Sequence, residues 1–254
     1  MTRVTRRTFG AITTGGFMSA ALGTACRATE ALQNNDGRLT ARPRAGVSTS
    51  AKSDRLGLDP DRDATLRLPP TTSGGALPLL VYLHGATQRG EGMLRRIGAA
   101  SDEAGIAVLA PDSRDVTWDA IRGDYGRDIV FLDRALERVF ATVAIDPARI
   151  AIGGFSDGAT YALSIGLING DLFTHVIANS PGFIVNGPAH GKPRCFVSHG
   201  TSDQILPIDQ CSRQIVPALR RNGYDVTFKE FDGRHEIPPA IAQDAMHWFV
   251  DRSR

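Results

Sequence analysis

The stretch Ile150-Ala151-Ile152-Gly153-Gly154-Phe155-Ser156-Asp157-Gly158-Ala159 constrains this chain more than any other ten residues. The apolar run from Ile150 to Ile152 reads as a buried strand, and Ala159 to Leu167 reads as a helix. Between them Gly154-Phe155-Ser156-Asp157-Gly158 has the G-x-S-x-G spacing of a nucleophile elbow. Such a turn forces the serine backbone into a strained conformation and lifts its hydroxyl clear of the sheet. The flanking glycines are needed because a Cβ at either position would run into the neighbouring strand or helix.

Strand and helix patterns alternate on both sides of this turn. Buried or alternating apolar runs at Asp63–Leu68, Leu77–Leu83, Ile106–Ala110, His175–Ala178, Arg194–Ser198 and Asp225–Phe231 read as strands. Helical patterns fall in Arg89–Gly105, Ile129–Val143, Ile208–Arg221 and Ile241–Val250. The alternation predicts an α/β fold, a mainly parallel central sheet with helices on both faces. Only Ser180 to Lys192 separates the strand after the elbow helix from the next, too little for a large cap.

A serine hydroxyl needs a base to take its proton and a third group to orient that base. In this architecture the order along the chain is serine, acid, histidine. Asp203 follows the strand ending at Ser198, and His235 follows the strand ending at Phe231, so both fall on loops at the carboxyl edge of the sheet. Asp209 and Asp232 compete with Asp203 for the acid. Of six histidines, His175 and His247 read as structural and His190 as solvated. His84 and His199, each before a glycine at a strand end, read as shaping the site by hydrogen bonding. For the oxyanion, the backbone N–H of Asp157 and that of Ala86 in the loop after Leu83 are the candidate donors, with Thr87 the alternative to Ala86. Phe183, Ile205, Trp118 and Tyr125 are candidate walls of an open, shallow site.

The first 26 residues predict export. Thr5-Arg6-Arg7-Thr8-Phe9 has the pattern of a twin-arginine signal, followed by a weakly apolar stretch too short and too glycine-rich to span a membrane. Leu22-Gly23-Thr24-Ala25-Cys26 looks like a lipobox with its leucine one place early, so Cys26 is either lipid-anchored or cleaved away. Residues 27–60 read as a linker and extended arm, and 61–254 as one catalytic domain. The leader's three arginines exceed the formal net charge of +2, leaving −1 on the rest, so charge gives no case for nucleic acid or an anionic membrane surface. Cys26, Cys195 and Cys211 have no metal-ligand spacing, and a Cys195–Cys211 bridge after export stays open on sequence alone.

LLVYLHGATQRG, GGFSDGATYAL, HGTSDQILPI and EFDGRHEIPP, spread over Leu66 to Val250, together resemble the α/β-hydrolase superfamily. Within it they are most similar to the phospholipase/carboxylesterase group, with dienelactone hydrolases as neighbours. The resemblance implies a hydrolase of carboxylic esters without metal or cofactor. The open site expected from the short Ser180–Lys192 stretch suits short-chain esters or esters displayed on a larger molecule, and any membrane attachment would run through the N-terminal lipid. The departure is HGATQRG in place of a more glycine-rich oxyanion loop, which bears on the second donor and on acyl preference. A peptidase or thioesterase would use the same three residues, and a catalytically silent binding protein would be expected to lack one.

Overall fold

The computed structural model describes residues 36–70 and 74–251. The export signal and Cys26 lie outside the described residues.

Eight strands form one sheet in the order β1-β2-β4-β3-β5-β6-β7-β8. In chain order they are β1 (Asp54–Arg55), β2 (Ala64–Arg67), β3 (Leu77–Leu83), β4 (Ala107–Pro111), β5 (Ile145–Phe155), β6 (His175–Asn179), β7 (Arg194–Gly200) and β8 (Val226–Phe231). The pairs β1/β2 and β2/β4 are antiparallel, and every other pair is parallel. All seven residues of β3 are buried, as expected of a central strand covered on both faces.

The period of two along each strand sends alternate residues into two cores. Leu79, Val81, Leu83, Ile150, Ile152 and Val176 pack with helices α3 (Arg127–Thr142), α4 (Asp157–Ile168) and α5 (Ser212–Arg221). Leu80, Tyr82, Val108, Ala151, Ile177 and Phe196 pack with α1 (Gly90–Glu103) and α6 (Pro239–Val250). Each fully buried Leu or Ile side chain contributes about 2 kcal/mol. Helix α4 is buried along its whole length from Gly158. Gly166 lets it lie close on the sheet, where a Cβ would come within 2.6 Å of Val176 Cγ2 and 2.9 Å of Ile152 Cγ2. The helix that follows the serine therefore has no solvent face to relax into.

Two local readings shift. The segment read as part of an arm contains β1, which pairs with β2, and residues 36–60 belong to the same compact unit as the rest of the described chain. There Asn169 Oδ1 accepts from Leu39 N at 2.8 Å, and Arg38 pairs with Asp171 at 2.7 Å. A short helix, α2 (Asp119–Arg122), was not legible, and α5 starts at Ser212 because a turn from Pro207 precedes it. Ser180 to Pro193 contains no helix, in keeping with the absence of a cap there.

His175 opens β6 with its ring edge-on to Trp248 and Phe249 of α6, centroids 5.1 and 5.2 Å away. Burial, and next the charge of Arg194, pull its pKa down to about 4. The unfolded chain therefore takes up the proton first. The stabilisation is full above about pH 6.5 and is lost as pH falls toward 4, up to about 3 kcal/mol. Urea unfolding should show the wild type losing about 2 kcal/mol more than His175→Gln between pH 7 and pH 4.5. Equal losses would contradict this account of His175.

Candidate active site

Ser156 sits between β5 and α4 with φ 59° and ψ −123°. Among the described non-glycine residues, left-handed φ values occur at Thr87, Ser156 and Ser180, close behind the carboxyl ends of β3, β5 and β6. Backbone strain of this kind costs about 1–3 kcal/mol per residue and persists only where its surroundings over-determine it. Here Ser156 N–H donates to Asn179 O at 3.0 Å, and Ser156 O accepts from Thr160 N–H at 3.0 Å. Behind it Tyr82 OH donates to Asn179 Oδ1 at 2.9 Å and Asn179 Nδ2 donates to Ser198 Oγ at 2.9 Å. A Cβ on Gly154 would overlap the Gly158 carbonyl, and one on Gly158 would overlap Leu83 O and His84 O. The loop after β3 passes over the serine at Gly85, where a Cβ would lie 3.2 Å from Ser156 Cβ.

Asp203 and His235 meet as the chain order predicts. His235 Nδ1 lies 2.6 Å from Asp203 Oδ2, and its ring packs on Phe155 with centroids 4.7 Å apart. Phe155 immediately precedes Ser156, so the imidazole lies beside the elbow. The Asp203 side chain is wholly buried, and that of His235 is 15% exposed. Asp203 Oδ1 accepts from Ile205 N–H and Leu206 N–H, both at 2.9 Å. Burial works to raise the Asp203 pKa, but the Leu206 N–H, His235 and the Ile205 N–H outweigh it, and the carboxyl falls below its usual value. The competing acids lie elsewhere. Asp209 is exposed and pairs with Arg213 at 2.8 Å, and Asp232 is exposed.

Two histidines hold the site's frame. His199 is buried, with Nδ1 2.7 Å from Ser212 Oγ and Nε2 2.7 Å from Leu206 O and 3.2 Å from Asp203 Oδ2. Leu206 O can only accept, which puts the proton on Nε2, where it also faces Asp203. Burial lowers the His199 pKa and favours this neutral form. His84 accepts the Ser113 N–H on Nε2 at 2.9 Å and turns Nδ1 to Gly85 O at 2.7 Å. The sequence placed both histidines at the site, but not the contact of His199 with the acid.

Thr87 N–H donates to Val116 O at 2.6 Å, so of the two N–H groups weighed in this loop the Thr87 group is already engaged. Asp157, as first residue of α4, has no intrahelical acceptor for its own N–H. Its carboxylate is turned to Thr117, whose hydroxyl donates to Oδ2 at 2.6 Å.

Of the four candidate walls, Phe183 (47% exposed) and Ile205 (69% exposed) stand on the loops beside Asp203 and the start of α4. Gly182, next to Phe183, bonds Thr160 Oγ1 at 2.8 Å, and a Cβ there would lie 3.4 Å from Leu206 Cδ2. Trp118 and Tyr125, expected as walls, are instead part of the core. Trp118 is fully buried, donates Nε1–H to His84 O at 2.9 Å and stacks on Tyr161. Tyr125 is buried against Tyr161 and Gly37. Both are core because α2 and α3 fold the segment holding them back onto α4. Val116, which carries no signal in the sequence, is 43% exposed beside the Thr87 loop. Cys195 and Cys211 are free buried thiols, so the open bridge between them is not formed. Among the described residues no three His, Cys, Asp or Glu side chains are grouped to hold a metal ion. A surface depression of about 600 Å³ at the β1–β2 edge, lined by Arg55, Asp63, Arg67 and Arg89, lies apart from Ser156 and His235.

The parallel sheet, the strained serine between strand and buried helix, and the acid and histidine two and three strands beyond define the α/β-hydrolase fold. Residues 130–251 match the model of the phospholipase/carboxylesterase family. NocK of Nocardia uniformis subsp. tsuyamanensis, assigned as an esterase, is 28% identical over 187 residues, 67% of this chain and 53% of that protein. Acyl-protein thioesterase 1 of Emericella nidulans is 29% identical over 118 residues, 42% of this chain and 49% of that protein. The chain thus spans about half the length of these curated relatives. Among solved structures, esterase PE8 aligns with a TM-score of 0.59 and 25% identity over 72% of this chain and 97% of its own. The Bacillus cereus carboxylesterase shares the fold, with a TM-score of 0.57 and 18% identity over 75% of this chain and 94% of its own.

The glycine contacts give a direct test. Gly158→Ala should lower the thermal midpoint by roughly 10 °C, because backbone atoms must move. Gly92→Ala, on α1 with only Arg95 Nη2 within reach at 3.7 Å, should leave the midpoint unchanged or raise it slightly. Similar midpoints for the two variants would contradict the packing account of the elbow.

Proposed function

We propose that the protein is a serine hydrolase of carboxylic esters working through an acyl-enzyme. The observation that carries this reading is the 2.6 Å contact of His235 Nδ1 with buried Asp203, its ring packed on the residue before Ser156. In the proposed cycle His235 Nε2 takes the proton of Ser156 Oγ as the oxygen attacks the ester carbonyl. The tetrahedral oxyanion is held by the N–H groups of Asp157 and Ala86, the engagement of Thr87 N–H by Val116 O favouring Ala86 as the loop donor. The imidazolium, steadied by Asp203, gives its proton to the departing alkoxide, and the same histidine activates water to release the acid.

Exposed Phe183 and Ile205 and the cap-free β6–β7 connection suit short acyl groups or an ester borne on a larger molecule. Export through a Tat-type leader, with or without lipidation at Cys26, belongs to the same proposal and rests on the sequence of residues 1–26. A second reading, thioester cleavage by the same residues, is favoured by the likeness to acyl-protein thioesterase 1.

Hydrolysis of para-nitrophenyl acetate, butyrate and octanoate by wild type and Ser156→Ala is the test. Wild-type kcat/KM should fall with chain length, and Ser156→Ala should lose about 10⁴-fold or more in kcat. Equal rates in wild type and variant would overturn the assignment of Ser156. Faster turnover of a butyryl thioester than of the matched ester would select the second reading.

A further inference from the structure

The segment Ser113–Trp118, which leads from β4 to α2, touches both sides of the proposed oxyanion site. Its Ser113 N–H and Trp118 Nε1–H hold the ring and the carbonyl of His84, each at 2.9 Å. Its Val116 carbonyl takes the Thr87 N–H at 2.6 Å, next to Ala86. Its Thr117 hydroxyl donates to Asp157 Oδ2 at 2.6 Å. The segment is itself pinned from below. Asp128 accepts from Arg114 N–H at 2.6 Å and Asp119 N–H at 2.7 Å, and Asp119 accepts from Asp128 N–H and Tyr161 OH, both at 2.8 Å. The Arg114 guanidinium lies 3.6 Å from the centre of the Phe131 ring.

Asp157 sets a physical problem that this arrangement answers. Its N–H is one of the proposed donors, yet its side chain is a carboxylate on the same residue. A carboxylate free to swing toward a developing oxyanion would repel it. A hydroxyl that holds the carboxylate at one oxygen keeps the charge turned to the β4–α2 segment and fixes the first turn of α4. Thr117 is almost fully buried, so water does not compete freely for this bond.

We propose that Thr117 is a positioning residue of the oxyanion hole, acting through Asp157. The inference rests on the reading of Ser156 as nucleophile. Thr117 makes no contact with substrate. It sets where the Asp157 charge lies and how its N–H is aimed.

Thr117→Val removes the hydroxyl at constant shape, and Thr117→Ser keeps it. With para-nitrophenyl acetate, Thr117→Val should lower kcat by about 10- to 100-fold with KM within about twofold, while Thr117→Ser stays near wild type. Affinity for a trifluoromethyl ketone analogue of the tetrahedral state should fall in parallel with kcat/KM. In an Asp157→Ala background the same Thr117→Val change should cost no more than about twofold further, the sign that it acts through Asp157. Thr117→Ala takes the place of Thr117→Val if that variant does not fold.

An unchanged kcat in Thr117→Val, a Thr117→Ser variant equally slow, or an undiminished loss in the Asp157→Ala background would each overturn the proposal. Labelling of wild-type Ser156 by a fluorophosphonate separates the two levels. Labelling together with a kinetically silent Thr117 sinks this inference alone, and no labelling sinks it together with the reading of Ser156.

Discussion

The rest of the site depends on one close approach, the packing of the β5–α4 turn against the strand and loop beside it. Gly154 and Gly158 lie so near each other, and Gly158 so near the Leu83 and His84 carbonyls, that no side chain fits at either. This contact holds Ser156 at a φ of 59°, where an unsupported residue would relax. The strain is borne by a helix buried along its length and by Asn179, whose carbonyl takes the Ser156 N–H while its side chain links Tyr82 to Ser198. Strands β3, β5, β6 and β7 thus act together to place one hydroxyl.

The second constraint is electrostatic. A carboxylate with no solvent exposure is costly unless donors surround it. Asp203 has two backbone N–H groups on one oxygen and two histidines on the other, His235 at 2.6 Å and His199 at 3.2 Å. These donors keep Asp203 ionised, and in the proposed mechanism the ionised carboxylate steadies the imidazolium of His235. His199 also ties the 203–206 turn to α5 through Ser212, so the acid's position is set by β7 and α5 together.

Much of this was legible in the sequence because the informative signals are local. The elbow spacing, the alternation of strands and helices, and the fall of Asp203 and His235 on successive strand-end loops each show within a few residues. Contacts made across the fold were not legible. Trp118 and Tyr125 look like aromatic walls in a loop, but α2 is only four residues long and gave no periodic signal that it turns them inward. Val116 and Thr117 are ordinary residues in sequence and gain meaning only from Thr87 and Asp157, 29 and 40 positions away. Likewise His199 read as part of the wall because nothing in His-Gly-Thr-Ser-Asp tells whether the histidine turns toward the acid four residues on.

The central claim is that Ser156 becomes acylated during turnover. Mixing the protein with para-nitrophenyl butyrate, quenching with acid in the pre-steady state and mapping the peptides by mass spectrometry reads this directly. The account predicts a butyryl adduct on Ser156 that forms with the nitrophenol burst and decays at the steady-state rate. Turnover with no adduct at any time, or an adduct on another residue that decays at that rate, would contradict it.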